Sequence, residues 1–308
     1  MSFGRVDWHK GIIYNKVWTR PSRALEHRMQ QASVSSGKLS VCVELPSADS
    51  EVMPGIRWGA VEAFPTPAYW AYQVIARRIE NRVLKYRLGK TLREEIGACL
   101  LGGHGIPASV GVAAFEHMKA HGAFDGTAHS EQTLCAWLTE PITIDKRKLR
   151  YRFAAQKARY LAEAMREFDV LQWNEGSGRG LRDALLALPG IGYKTASWVA
   201  RNWLDADDVA ILDIHILRAG VVAGFFDPQL TVERHYSALE AQFLAFSHGL
   251  GVRPSELDAV IWLEMASAPR SVQSALSALP EGRFKSKHYS SRGTEDRHSR
   301  ADQLSLLS

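Results

Sequence analysis

Hydrophobic positions along most of the chain recur three and four residues apart, the spacing of amphipathic helices. The two-residue alternation of half-buried strands is almost absent. The exception is KLSVCVELP at 38–46, a strand-like patch in an otherwise irregular first 60 residues. From Thr66 the character changes. TPAYWAYQVIARRIENRVLKYRLG begins with threonine at an N-cap and proline at the first helical position, and it closes on Gly89, so a helix is predicted over 66–89. TLREEIGACLLGG carries a capping box, Thr91 with Glu94, and stops at glycines. The same periodicity predicts helices over 107–121, 131–139, 146–168, 180–188, 194–203, 214–224, 232–246 and 255–267, joined by short loops. The fold class is therefore mostly α, with about ten helices and little β structure near the N-terminus. The expected organisation is an irregular segment packing on the core over 1–58, a helical domain over 59–282 and a polar tail over 283–308. That tail is poor in core residues and is expected to be disordered.

Bulk composition narrows the class. A chain of 308 residues with 46% hydrophobic content and mean hydropathy of −0.18 is expected to be a soluble globular protein. No apolar run approaches the roughly 18 residues of a membrane span. The start, MSFGRVDWHKG, lacks the apolar stretch of a signal peptide. A net charge of +5 permits a polyanionic partner without requiring one. Cys42, Cys99 and Cys135 are scattered and odd in number, which argues against a disulfide framework and for a reducing compartment. A cytoplasmic location is expected, nucleoid-associated if the source is bacterial.

The most informative stretch is LRDALLALPGIGYKTASWVA, 181–200. One helix runs to Leu188, the chain turns through Pro189, Gly190, Ile191 and Gly192, and a second helix starts near Tyr193, giving a hairpin of helices over 181–203. The glycines permit backbone angles closed to other residues and leave the main chain uncovered at the second helix start. Unpaired amides and the helix dipole make such a start a binding place for anions, a phosphate above all. An ordinary helix–turn–helix corner uses glycines in the same way.

Lys194 falls in the first turn of the second helix, where the dipole disfavours a cation. A neutral amine there is a nucleophile, and its attack on a sugar C1′ gives a Schiff base. Nineteen residues later AILDIHILR ends an apolar approach at Asp213, which can cap the helix beginning at Ile214. A carboxylate so placed can stabilise positive charge developing on a sugar as its base departs. Taken singly, Lys194 reads as a solvated helix lysine and Asp213 as a plain N-cap.

Taken together, LPGIGYK followed by LDIHILR resembles the helix-hairpin-helix (HhH-GPD) DNA glycosylase superfamily, in particular its 8-oxoguanine DNA glycosylase branch. The resemblance covers about residues 60–280; QKARYLAEA (156–164) and LDAVIWLEMA (257–266) add weaker matches. It implies a two-lobed helical fold and a base-excision enzyme acting on DNA, expected to be a monomer. It also implies Lys194 as nucleophile, Asp213 as the essential acidic residue, and β-elimination at the abasic site after base loss. Pro189, Gly190, Ile191, Gly192 and Tyr193 become the grip on the DNA backbone. The related endonuclease III branch binds an iron–sulfur cluster through four C-terminal cysteines, but no cysteine follows Cys135 here, so no such cofactor is expected. The resemblance also allows a monovalent cation held by the hairpin carbonyls.

A flipped base needs an aromatic slot and a polar edge reader. Trp198 lies four residues past Lys194, where the branch often has a cysteine against the base. Trp262 falls where a phenylalanine closes the sandwich, and Asp258 where a glutamine reads the Watson–Crick edge. Both tryptophans also read as ordinary core. The loop that recognises the opposite cytosine is asparagine-rich with an arginine in the branch; here it corresponds to GGHGIPAS, 102–109, with His104 the sole candidate wedge. A further cytosine-reading arginine falls on Lys157. Strict pairing to cytosine is therefore not expected. The run DKRKLRYRFAAQKARY, 145–160, read as a helix, can lay charge along phosphates with Tyr151 and Tyr160 interleaved. His215, His235 and His248 lack metal-ligand spacing, so no metal site is expected, and His215 reads as a partner of Asp213. The alternative function is a glycosylase-fold protein that binds a modified base or nucleotide without cutting it, as in a defence or nucleotide-modification system.

Overall fold

The computed structural model describes residues 5–7, 12–14, 29–37, 39–81, 86–103 and 105–279. His104 and the expected tail over 283–308 lie outside the described residues. Two compact units emerge, one of them interrupted in sequence. Described residues up to 81 and from 212 onward form one; those from 86 to 211 form the other. Among the described residues, eleven helices and four two-stranded antiparallel sheets are present, and no helix is long and apolar enough to cross a membrane.

The first, discontinuous unit opens with β1 (Arg5–Asp7) paired to β2 (Ile12–Tyr14), then β3 (Gln30–Ser36) paired to β4 (Leu39–Leu45). The strand-like patch of the sequence is thus half of a hairpin. Its alternation buries Val34, Val43 and Leu45 on one face. The Gln30 side chain ties the hairpin to the following loop, donating to Pro46 O and Gly59 O and accepting from Val61 N. A short pair, β5 (Glu51–Met53) with β6 (Ile56–Arg57), leads to α1 (Pro67–Ile79). Thr66 caps α1 as its position predicts, accepting from Tyr69 N at 3.1 Å.

The rest of this unit is α8 (Ile214–Ala223), α9 (Val232–Leu250), α10 (Pro254–Ser267) and α11 (Pro269–Ser277). Two charged links hold α1 on α10. Arg77 meets Glu264 at 3.0 Å, with the Tyr69 hydroxyl donating to the same carboxylate, and Arg78 pairs with Glu256. The helix expected over 66–89 is shorter: α1 ends at Ile79, and Asn81 sits in the left-handed region at φ 56°. Residues 86–89 are not helical.

That second unit packs α2 (Leu92–Leu101), α3 (Ala108–Ala120), α4 (Glu131–Thr139), α5 (Ala154–Phe168), α6 (Gly178–Leu185) and α7 (Tyr193–Leu204). Of these, α2 is buried on nearly all sides and forms the centre. The capping box works with a shift: Thr91 accepts from Glu94 N, while Glu94 accepts from the Lys90 amide. Its neighbour Glu95 is fully buried and fully used, accepting from Leu88 N, Gly89 N and Asn202 Nδ2. One carboxylate thereby ties α2 to α7 and to the segment entering the unit.

The basic run does not form the helix expected over 146–168, because α5 begins only at Ala154. Before it, β7 (Ile142–Ile144) pairs with β8 (Arg147–Leu149) across Asp145 and Lys146, whose φ of 46° and 66° make a two-residue hairpin turn. Lys146, Arg147, Lys148 and Arg150 are exposed on this hairpin. Tyr151 is no interleaved surface aromatic. It is 4% exposed and its hydroxyl donates to Leu101 O at 2.6 Å, and burial pushes its phenol above the usual range.

Candidate active site

The hairpin is built as the sequence suggests. Ser177 caps α6, accepting from Gly180 N, and Leu181, Leu185, Leu188 and Ile191 fasten the corner to the core. Turn hydrogen bonds run from Leu188 N to Leu185 O and from Ile191 N to Leu188 O. Gly190 holds φ 78°, and a Cβ there would lie 2.4 Å from the Tyr160 ring. Tyr160 therefore serves as the floor of the turn. Gly190→Ala is expected to cost about 2–3 kcal/mol, from the left-handed backbone and the ring overlap together, as read by denaturant melts.

Gly192 is the N-cap of α7 and brings no side chain to cover the helix start; nothing lies within 4 Å of where a Cβ would be. Pro189 is half-buried, while Tyr193 remains 41% exposed. Lys194 is the second residue of α7 and is half-buried. No acidic residue occupies that first turn.

One turn on, Trp198 packs its ring edge over Gly102, where a Cβ would stand 3.0 Å from Cη2. Lys157 reaches the same spot from α5, donating to Leu100 O at 2.5 Å and Gly102 O at 3.2 Å. Trp198, Lys157 and the start of the 102–109 loop are thus brought together. Burial holds the Lys157 ammonium below the usual lysine range. Its two carbonyl partners end α2, so Lys157→Met is expected to cost about 1–3 kcal/mol in denaturant melts. That tether is invisible in the sequence, because its partners lie 55 and 57 positions away.

In the other unit, Asp213 caps α8 as expected. Its Oδ1 accepts from His215 N at 2.8 Å and Ile216 N at 3.0 Å. The approach is pinned just before it, where the Leu212 amide donates to the Tyr236 hydroxyl. His215 reaches Asp213 through its backbone amide, and its ring meets Trp262 edge-on at 6.3 Å between centroids. Trp262 is half-buried on α10; Asp258, one turn earlier, is 3% exposed. The structure so joins Asp213, His215 and Trp262 through α8 and α10. Lys194 belongs to one unit and Asp213 to the other, and the chain passes between units at Leu212, one residue before the aspartate.

Comparison with known proteins relates more than half of the chain to a family. The profile of Ogg-HhH, described as 8-oxoguanine DNA glycosylase, matches residues 80–252, which hold the hairpin, Lys157, Lys194, Trp198, Asp213 and His215. A relative from Methanocaldococcus jannaschii named 8-oxoguanine DNA glycosylase/AP lyase is 32% identical over 121 residues, 38% of this chain and 58% of that protein. The chain therefore spans somewhat over half of that relative's length. A second protein of that name, from Metallosphaera sedula, is 27% identical over 199 residues, 60% of this chain and 89% of its own length. The crystal structure of the M. jannaschii 8-oxoguanine DNA glycosylase aligns with a TM-score of 0.49 at 24% identity, covering 65% of this chain and 94% of that one. With more than half of its length matched by the family profile, the chain belongs to the 8-oxoguanine DNA glycosylase family of helix-hairpin-helix proteins.

Proposed function

We propose that the chain is a bifunctional glycosylase and abasic-site lyase that removes 8-oxoguanine, or a related oxidised purine, from DNA through a Schiff base on Lys194. The observation that carries this reading is that the family match contains both Lys194, in the first turn of a helix opened by Gly192, and Asp213, the cap of the next helix. The names of the two archaeal relatives support it. Residues Pro189 to Tyr193 hold the phosphate through main-chain groups at the α7 start. The Lys194 amine attacks C1′ through its lone pair, the N-glycosidic electrons leave with the base, and the base takes up the proton that the amine gives up. The Asp213 carboxylate stabilises the positive charge that builds on the sugar.

Opening of the C1′–O4′ bond, with a proton to O4′, leaves an iminium between C1′ and Nζ. Loss of a C2′ proton then expels the 3′ phosphate oxygen and cuts the strand. Trp198 and Trp262 flank the flipped base, and Asp258 accepts from N1–H and the exocyclic amine. Lys157, through the loop it tethers, and His104 act on the opposite strand. No cofactor enters this sequence of steps, and the chain acts as a monomer.

The test is incubation with end-labelled duplex carrying one 8-oxoguanine opposite cytosine, with borohydride present. A covalent adduct on damaged duplex and none on undamaged duplex is expected. Absence of both adduct and cleavage, on single strands as well, overturns the reading. Tight binding of the damaged strand without cleavage would establish the non-cutting alternative.

A further inference from the structure

Away from every residue used above, the ends of α3 and α4 bring two histidines and a glutamate together. His117 lies in the last turn of α3 and His121 is its C-cap, four residues on, so both rings share one helix face. Glu140 is the C-cap of α4. Its Oε2 is 3.4 Å from His117 Nε2 and 3.4 Å from His121 Nε2. A charge-assisted hydrogen bond draws such atoms to about 2.7–2.9 Å. Metal bonds of about 2.1 Å meeting at the tetrahedral angle instead hold donor atoms about 3.4 Å apart.

From this geometry we infer a binding site for a divalent transition ion of the zinc class, held by His117, His121 and Glu140. Two imidazoles and one carboxylate suit zinc better than magnesium or calcium, which take oxygen ligands. Two helix C-termini converge here, and their partial negative charge favours a cation. The ligands are partly ordered in advance: Trp137 stacks on the His121 ring at 5.0 Å and 17°. His117 Nε2 also sits 3.0 Å from Trp137 O. An ion bound at Nε2 takes the ring as the tautomer with its proton on Nδ1, so the contact with Trp137 O is given up. Trp137 O then keeps the Glu140 amide, at 3.2 Å. Side-chain exposures of 20%, 32% and 47% give an ion access and leave water a coordination position. The sequence carries a signal for half of this site, the H-x3-H spacing in EHMKAH, but its third ligand is 19 residues further on.

The test uses the full chain, stripped with chelator and reduced, titrated with Zn2+ by calorimetry and with Co2+ by visible absorption. A single ion per chain is expected, with affinity at least tenfold weaker in His121→Gln and in Glu140→Gln. Exposed His248, in the other unit, supplies the control: His248→Ala keeps full affinity. Zn2+ should raise the melting temperature of the wild type and not of Glu140→Gln, a variant that preserves shape. Absence of Zn2+ binding, wild-type affinity in either variant, or an intense thiolate band under Co2+ would each overturn the site. The outcome is independent of whether the chain cuts DNA.

Discussion

Lys194→Gln is expected to lose borohydride trapping altogether and to lower strand cleavage about a thousandfold or more, the scale on which a covalent nucleophile is missed. At 1.36 kcal/mol per decade, this is about 4 kcal/mol of transition-state stabilisation. The protein itself should not weaken. Lysine and glutamine have similar helix propensity, and lysine in the first turn of α7 opposes the dipole of its own helix. Removing that charge is expected to leave the melting temperature unchanged or to raise it slightly. Higher stability with lost chemistry marks a residue retained for reaction. A variant that still traps DNA moves the nucleophile elsewhere.

The second large effect is at Asp213, where cap and chemistry must be separated. Asparagine caps helices about as well as aspartate, so Asp213→Asn should retain both amide contacts and most of the stability. Asp213→Ala loses the cap and about 1 kcal/mol. Both remove the charge, and both are expected to slow base excision about a hundred- to a thousandfold, the usual loss when an electrostatic stabiliser is deleted. Single-turnover release of base from damaged duplex reads the chemistry, and denaturant melts read the cap. If Asp213→Asn excises normally, the residue is only a helix cap.

The candidate site was legible in the sequence to different depths. Gly190 and Gly192, Lys194 two positions on, and Asp213 ahead of a helix are local patterns, and local backbone chemistry gives them their places. Tyr160 as the floor of the turn was not legible, because only packing brings it under Gly190. Lys157 was read by resemblance alone; its bonds to the α2 carbonyls belong to the folded chain. The basic run was misread as helix because its residue types suit one, while the Asp145–Lys146 turn earns its stability from strand pairing.

By itself the sequence determined where the helices capped by Thr66, Thr91 and Asp213 start, since these caps act within three residues of themselves. It also determined the family, through the hairpin and the two residues behind it. The tertiary structure decided everything that joins distant positions. It divided the described residues into two units, one of them interrupted in sequence, buried Glu95 among its donors, and set Glu140 3.4 Å from both His117 and His121. The physical reason is range: capping and periodicity are satisfied within a turn of helix, whereas burial and convergence depend on which surfaces the folded chain brings together.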